Sequence, residues 1–368
     1  MSERDTTIEF YPALGRRTRV GTWQDAKIST YRKIREAIAD GRWTEAADLA
    51  DYFVDEADCC YSIYRQWIPD IASFLADEGL DAEAMAEVHA RILARLDLPD
   101  GTPFSPYRQW DVFKGAVRTL VGHLHREEAD ASYAALDVAC EEWRRCHDRD
   151  VDHSYGLMDE VVQRFGEASL GRMWERVIIP LFSWRYEKFD TDKASWDTAL
   201  ETLMLVACEA MRGHLVGPER RGDFELIETE DRYILRFDPC GSGGRTIRGD
   251  LVEGTPPRME APYNWAVSQE PHPWNHFQTG ICHYCTHCIN LMEMVPMDRF
   301  GYPLRVVDPP RYPDPEGTQK CQWQMFKDPT AVPAELYTRA GRTKPSAFGS
   351  IAQGAPPLPA VKNMPGAG

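Results

Sequence analysis

The spacing of apolar residues changes once along this chain, and that change orders its parts. From about residue 23 to 217, apolar positions recur at intervals of three and four, as in Ile34, Ala37, Ile38 and Ala46, Leu49, Ala50, Phe53. Leu157, Val161, Val162, Phe165 and Leu203, Met204, Ala207, Ala210, Met211 continue the same period. A helix places such positions on one face. Six to nine helices are expected, with breaks at Gly41 and at Asp100-Gly101-Thr102-Pro103.

The helical period stops at Gly213-His214-Leu215-Val216-Gly217-Pro218. Phe224–Thr229 and Tyr233–Phe237 then alternate around Glu230-Asp231-Arg232, which predicts a hairpin. Leu304–Val307 and Cys321–Phe326 read as two further strands. The expected class is α+β, predominantly helical. An N-terminal extension (1–22) leads into a helical domain (23–217). A small antiparallel β/loop domain (218–340) carries the chemistry-bearing residues, and a Pro/Ala/Gly-rich tail (341–368) follows. That tail has little to bury and reads as a mobile arm.

The excess of 58 acidic over 42 basic residues gives a formal charge of −16. A field of that sign repels phosphate backbones and anionic membranes, so neither nucleic acid nor a membrane is an expected partner. The polar start Met1-Ser2-Glu3-Arg4-Asp5 lacks the apolar core of a secretion signal. The expected location is the cytoplasm, where the ten cysteines serve as ligands, reactive thiols or core residues and not as disulfides. The 11 Trp, 15 Tyr and 14 Phe permit a homo-oligomer without requiring one.

Three cysteines and two histidines fall within Cys282-His283-Tyr284-Cys285-Thr286-His287-Cys288. Thiolate and imidazole are preferred ligands of zinc and iron–sulfur centres. The Cys-x-x-Cys pair Cys285/Cys288 precedes a helical run, and a helix N-terminus lowers thiol pKa. Cys282 adds a sulfur at the same spacing. Cys240 follows a predicted strand, Cys321 begins another, and His276 is a further candidate. The expected ligands are Cys240, Cys282, Cys285 and Cys288. Zinc is favoured, and an iron–sulfur cluster is the alternative.

Gly241-Ser242-Gly243-Gly244-Arg245 follows Cys240 directly. Successive glycine N–H groups can form an anion-binding nest, and Arg245 can clamp a carboxylate. The other reading is a tight turn that needs positive φ. Upstream, the polar run His147–His153 reads as a helix end or loop, and His214 as a C-terminal cap near the junction of the two parts.

These residues predict a cytosolic metalloenzyme acting on a small anionic molecule by hydrolase or lyase chemistry. His283 or His287 would shuttle a proton, with substrate charge on Arg245 and the glycine loop. Two alternatives stand beside it: an iron–sulfur oxidoreductase or electron-transfer protein, and a helical binding or assembly module with a structural zinc.

Overall fold

The computed structural model describes residues 7–314 and 316–358. The start read as signal-free, Met1–Asp5, and the last ten residues of the expected tail lie outside the described residues.

Eight α-helices fill residues 23–213: α1 (Trp23–Ala26), α2 (Thr30–Ala39), α3 (Trp43–Asp77), α4 (Ala82–Leu93), α5 (Pro106–His125), α6 (Ala129–Phe165), α7 (Ala168–Arg185) and α8 (Trp196–Gly213). Their starts follow local chemistry. Ser29 accepts from Arg32 N–H before α2, and Asp81 accepts from Ala84 N–H before α4, each satisfying a donor the helix leaves free. The long α3 lies against α2, α5, α6, α7 and α8. From Cys146 to Val161, α6 is buried on every side. A helix without a solvent face belongs in the centre of a fold.

That burial corrects the reading of His147–His153 as a helix end or loop, because the whole run lies inside α6. Its charges are buried because partners meet them. Asp148 binds Arg220 at 2.7 Å and Arg144 at 3.2 Å, and Asp250 binds the same two arginines at 3.0 and 3.3 Å. Asp152 lies 2.5 Å from Arg245 and 2.9 Å from Arg258. Arg220, Arg245, Asp250 and Arg258 all come from the C-terminal part. An ion-pair layer therefore fastens the two parts together, beside an apolar core that runs from Ala26 to Met325.

The extension folds as an antiparallel hairpin, β1 (Thr7–Tyr11) and β2 (Arg16–Val20), packed on α3 and α8. Arg16, Thr18 and Tyr52 all reach Glu209, which is buried in α8. In the C-terminal part, β3 (Glu225–Glu228), β4 (Arg232–Phe237), β5 (Val306–Asp308) and β6 (Cys321–Phe326) form an antiparallel sheet in the order β3-β4-β6-β5. Leu235 pairs with Trp323, and Phe237 with Cys321, so one face of the sheet is apolar and thiol-bearing.

Helix α9 (Gly243–Arg248) follows Cys240. Helix α10 (Thr286–Ile289) starts within the Cys-x-x-Cys pair, and a π-helical turn (Asn290–Met294) and α11 (Val295–Phe300) follow it. The turn has a cause. Pro296 has no N–H to give the carbonyl of Met292, four residues earlier. That carbonyl accepts instead from Leu304 and Arg305, at 2.9 and 3.2 Å. These bonds hold Leu304 and Arg305 out of the sheet, so β5 begins at Val306, two residues later than expected. No helix among the described residues is long and apolar enough to cross a membrane.

Candidate functional site

Where the helical part meets the sheet, a cavity of about 50 Å³ collects residues from distant segments. Cys240 comes from the end of β4, Cys285 and Cys288 from α10 and its N-cap, and Cys321 from the start of β6. His214 reaches in from the C-cap of α8, and His287 from α10. Trp67, Tyr186, Phe237, Tyr284 and Trp323 supply much of the remaining wall. Among the described residues, two arginines, Arg185 and Arg305, line the cavity, and no aspartate or glutamate does.

The Cys-x-x-Cys segment is fixed from several sides. Thr286 Oγ1 accepts from Trp174 Nε1 and donates to the His283 carbonyl, both at 2.7 Å. Cys288 N–H donates to the Cys285 carbonyl at 3.1 Å. Burial pushes the thiols of Cys240, Cys288 and Cys321 up, and the hydrogen bond with the Cys282 thiol, followed by burial, pushes Cys285 up. The expected lowering of the Cys285 and Cys288 thiols is thus not found; both are raised. All ten cysteines are free thiols. Among the described residues, no three His, Cys, Asp or Glu side chains are already gathered at the spacing of a single ion. The four thiols border the cavity instead.

The glycine loop works through close approach. Neither Gly241, Gly243 nor Gly244 has positive φ, so the tight-turn reading does not apply. A side chain on Gly241 would overlap the His214 carbonyl, and one on Gly243 would overlap Cys285 Sγ. Gly244 N–H donates to Cys240 Sγ at 2.9 Å, so this amide serves the thiol. Gly243→Ala should destabilise the protein by about 1–3 kcal/mol, the usual range for overpacking, and should displace Cys285. Urea denaturation and the rate of Cys285 alkylation would check this. Unchanged values for both would contradict the packing described.

Several expected site residues stand elsewhere. Arg245, at 0% exposure, is bound to Asp152, to the Asp148 carbonyl (3.1 Å) and to the Gly241 carbonyl (3.1 Å). Cys282 does not line the cavity itself; its thiol lies 3.2 Å from Thr246 Oγ1 and hydrogen-bonds the thiol of Cys285, which does. His283 is fully buried, its ring 6.2 Å from that of Tyr155, and neither nitrogen has a hydrogen-bond partner among the described residues. Burial pulls it down to about 4. His276 binds Glu293 at 3.1 Å. His287 does line the cavity. Its Nδ1 donates to the Tyr284 carbonyl at 2.6 Å, which leaves Nε2 as the acceptor, 3.2 Å from Cys288 Sγ.

The structure also assembles a relay that the sequence shows only in pieces. His147 Nδ1 lies 2.9 Å from Asp148 Oδ1, and His147 Nε2 lies 2.8 Å from His214 Nδ1. Asp148 is held well below the usual carboxylate range; burial opposes this, but Arg220, Arg245 and His147 outweigh it. An ionised Asp148 accepts from His147 Nδ1–H. His147 Nε2 then accepts from His214 Nδ1–H, so His214 Nε2 carries a free lone pair. Burial keeps both imidazoles neutral. The signal was the pair His147-Asp148, but 67 residues separate His147 from His214. No protein-family model, curated protein or solved structure matches this chain.

Proposed function

We propose that the chain is a metal-dependent enzyme that holds a metal ion through Cys240, Cys285 and Cys288 and acts on a small anionic molecule by hydrolase or lyase chemistry. One observation carries the reading: thiols from three separate segments meet on one buried cavity that two neutral imidazoles also line. The donor set suits zinc, which takes sulfur and nitrogen ligands and keeps a position open in catalytic sites. Zinc held there supplies Lewis acidity toward a carbonyl or lowers the pKa of water.

The chain's own groups supply the rest. His214 takes a proton at Nε2, with its tautomer set by His147 and Asp148. His287 offers a second acceptor nitrogen beside Cys288. The apolar walls exclude bulk water and strengthen electrostatic contacts inside. A second reading draws on Cys321. With it, four thiols border the cavity, the number that holds an iron–sulfur cluster.

Elemental analysis and a visible spectrum of protein purified without air separate these readings. Zinc without colour supports the first. Iron with acid-labile sulfide and a band near ~400 nm supports the second. Cys240→Ser, Cys285→Ser and Cys288→Ser should each lose bound metal. Full metal retention in both Cys285→Ser and Cys288→Ser would remove the assignment.

A further inference from the structure

The cavity contains a buried cation with donors to spare. Arg305 is 1% exposed, and its Nε and Nη2 have no hydrogen-bond partner among the described residues. Its guanidinium packs 4.4 Å from the Trp323 ring centre and 5.6 Å from that of Tyr186. Neither contact accepts from Nε or Nη2. Such donors, left unmet in a buried place, are costly. Arg185 is better placed, because its Nη2 donates to the Cys59 carbonyl at 2.8 Å.

Charge balance points the same way. Three thiolates on a divalent ion leave one negative charge, against two guanidiniums and no carboxylate on the wall. One further negative charge restores neutrality. The unmet Nε and Nη2 are also the two donors with which an arginine grips both oxygens of a carboxylate.

The volume limits what carries that charge. An apolar cavity of about 150 Å³ holds benzene, and a water needs roughly 10–15 Å³. At about 50 Å³, this cavity admits a few heavy atoms. We infer that the cavity binds a short-chain monocarboxylate, with Arg305 gripping the carboxylate and the alkyl end against the aromatic wall. This rests on the proposed function in taking the cavity as the substrate's place and three thiolates as ligands of one divalent ion. Arg305 thereby takes the anchoring role that the sequence assigns to Arg245.

The rival account is that four thiolates, including Cys321, balance both arginines and leave no room for an anion. Calorimetric titration of the purified, metal-analysed protein with propionate and with its neutral isostere propionamide decides between them. Propionate should bind roughly ten-fold or more tightly, as expected for charge-assisted bonds. Arg305→Gln should erase that preference while metal content stays constant. Equal binding of the two ligands by the wild-type protein overturns the inference, and needs no variant that folds. A preference that survives in Arg305→Gln overturns it as well. A preference for propionate in protein that carries no metal upholds the anion site and removes the metal reading instead.

Discussion

Arg245→Ala and Asp152→Ala should each destabilise the protein by about 3–5 kcal/mol, the range for breaking a buried ion pair by removing one partner. Asp152 is the larger case, because its loss strands two guanidiniums at once, Arg245 and Arg258. Loss of Arg245 leaves Asp152 with Arg258 alone and also takes donors from the carbonyls of Asp148 and Gly241. The double variant should lose less than the sum of the single ones, since neither charge is then stranded beside the other's site. Urea denaturation of the four proteins measures this. An Arg245→Ala protein of unchanged stability that no longer binds a small anion would return Arg245 to the substrate role.

Acid should weaken the fold through His153, well above the pH at which most carboxylates titrate. Burial, with smaller contributions from His89 and Arg65, pulls this imidazole down to about 3 from its ordinary 6.5. The groups facing it account for the direction. His89 Nδ1 lies 3.0 Å from His153 Nε2, His153 Nδ1 has no partner, and the nearby Asp150 is occupied by Arg65. A histidine depressed on folding binds fewer protons in the native state than in the unfolded one. Its contribution is therefore fully present above pH 6.5 and is lost as pH falls from 6.5 toward 3. The slope is about 1.4 kcal/mol per pH unit, so roughly 2 kcal/mol is lost between pH 6.5 and 5. His153→Gln should remove about that much of the fall over this window. An identical pH dependence in wild type and variant would show that His153 does not stay neutral.

Local patterns carried the elements well. The three-and-four spacing corresponds to α2, α3, α6 and α8, and the alternation around Glu230-Asp231-Arg232 corresponds to β3 and β4. The β1–β2 hairpin escaped because its strands are mostly polar: Thr18 and Arg19 stand where apolar residues usually mark a buried face. Its fixed point is Glu209, on α8. The start of β5 escaped because Met292, outside the strand, holds the backbone of Leu304 and Arg305.

For the candidate site, the Cys-x-x-Cys pair was legible because two ligands three residues apart are a local feature. Which of the other cysteines joins them was not. Cys282, at the same spacing from Cys285, bonds that thiol and Thr246 without lining the cavity, whereas Cys321, 33 residues beyond Cys288, comes to the cavity through strand pairing with Phe237.

By itself the sequence determined the helical and sheet periods, the place where one gives way to the other, and the concentration of thiols after that point. Those properties depend on residues a few positions apart. The tertiary structure decided which charges are committed and which are free. Arg245 and Arg305 are equally basic in the sequence, but one meets Asp152 across 93 residues and the other faces a cavity without a carboxylate. A charge has no assigned partner until the fold brings one within hydrogen-bond reach, and burial then sets how much the presence or absence of that partner matters.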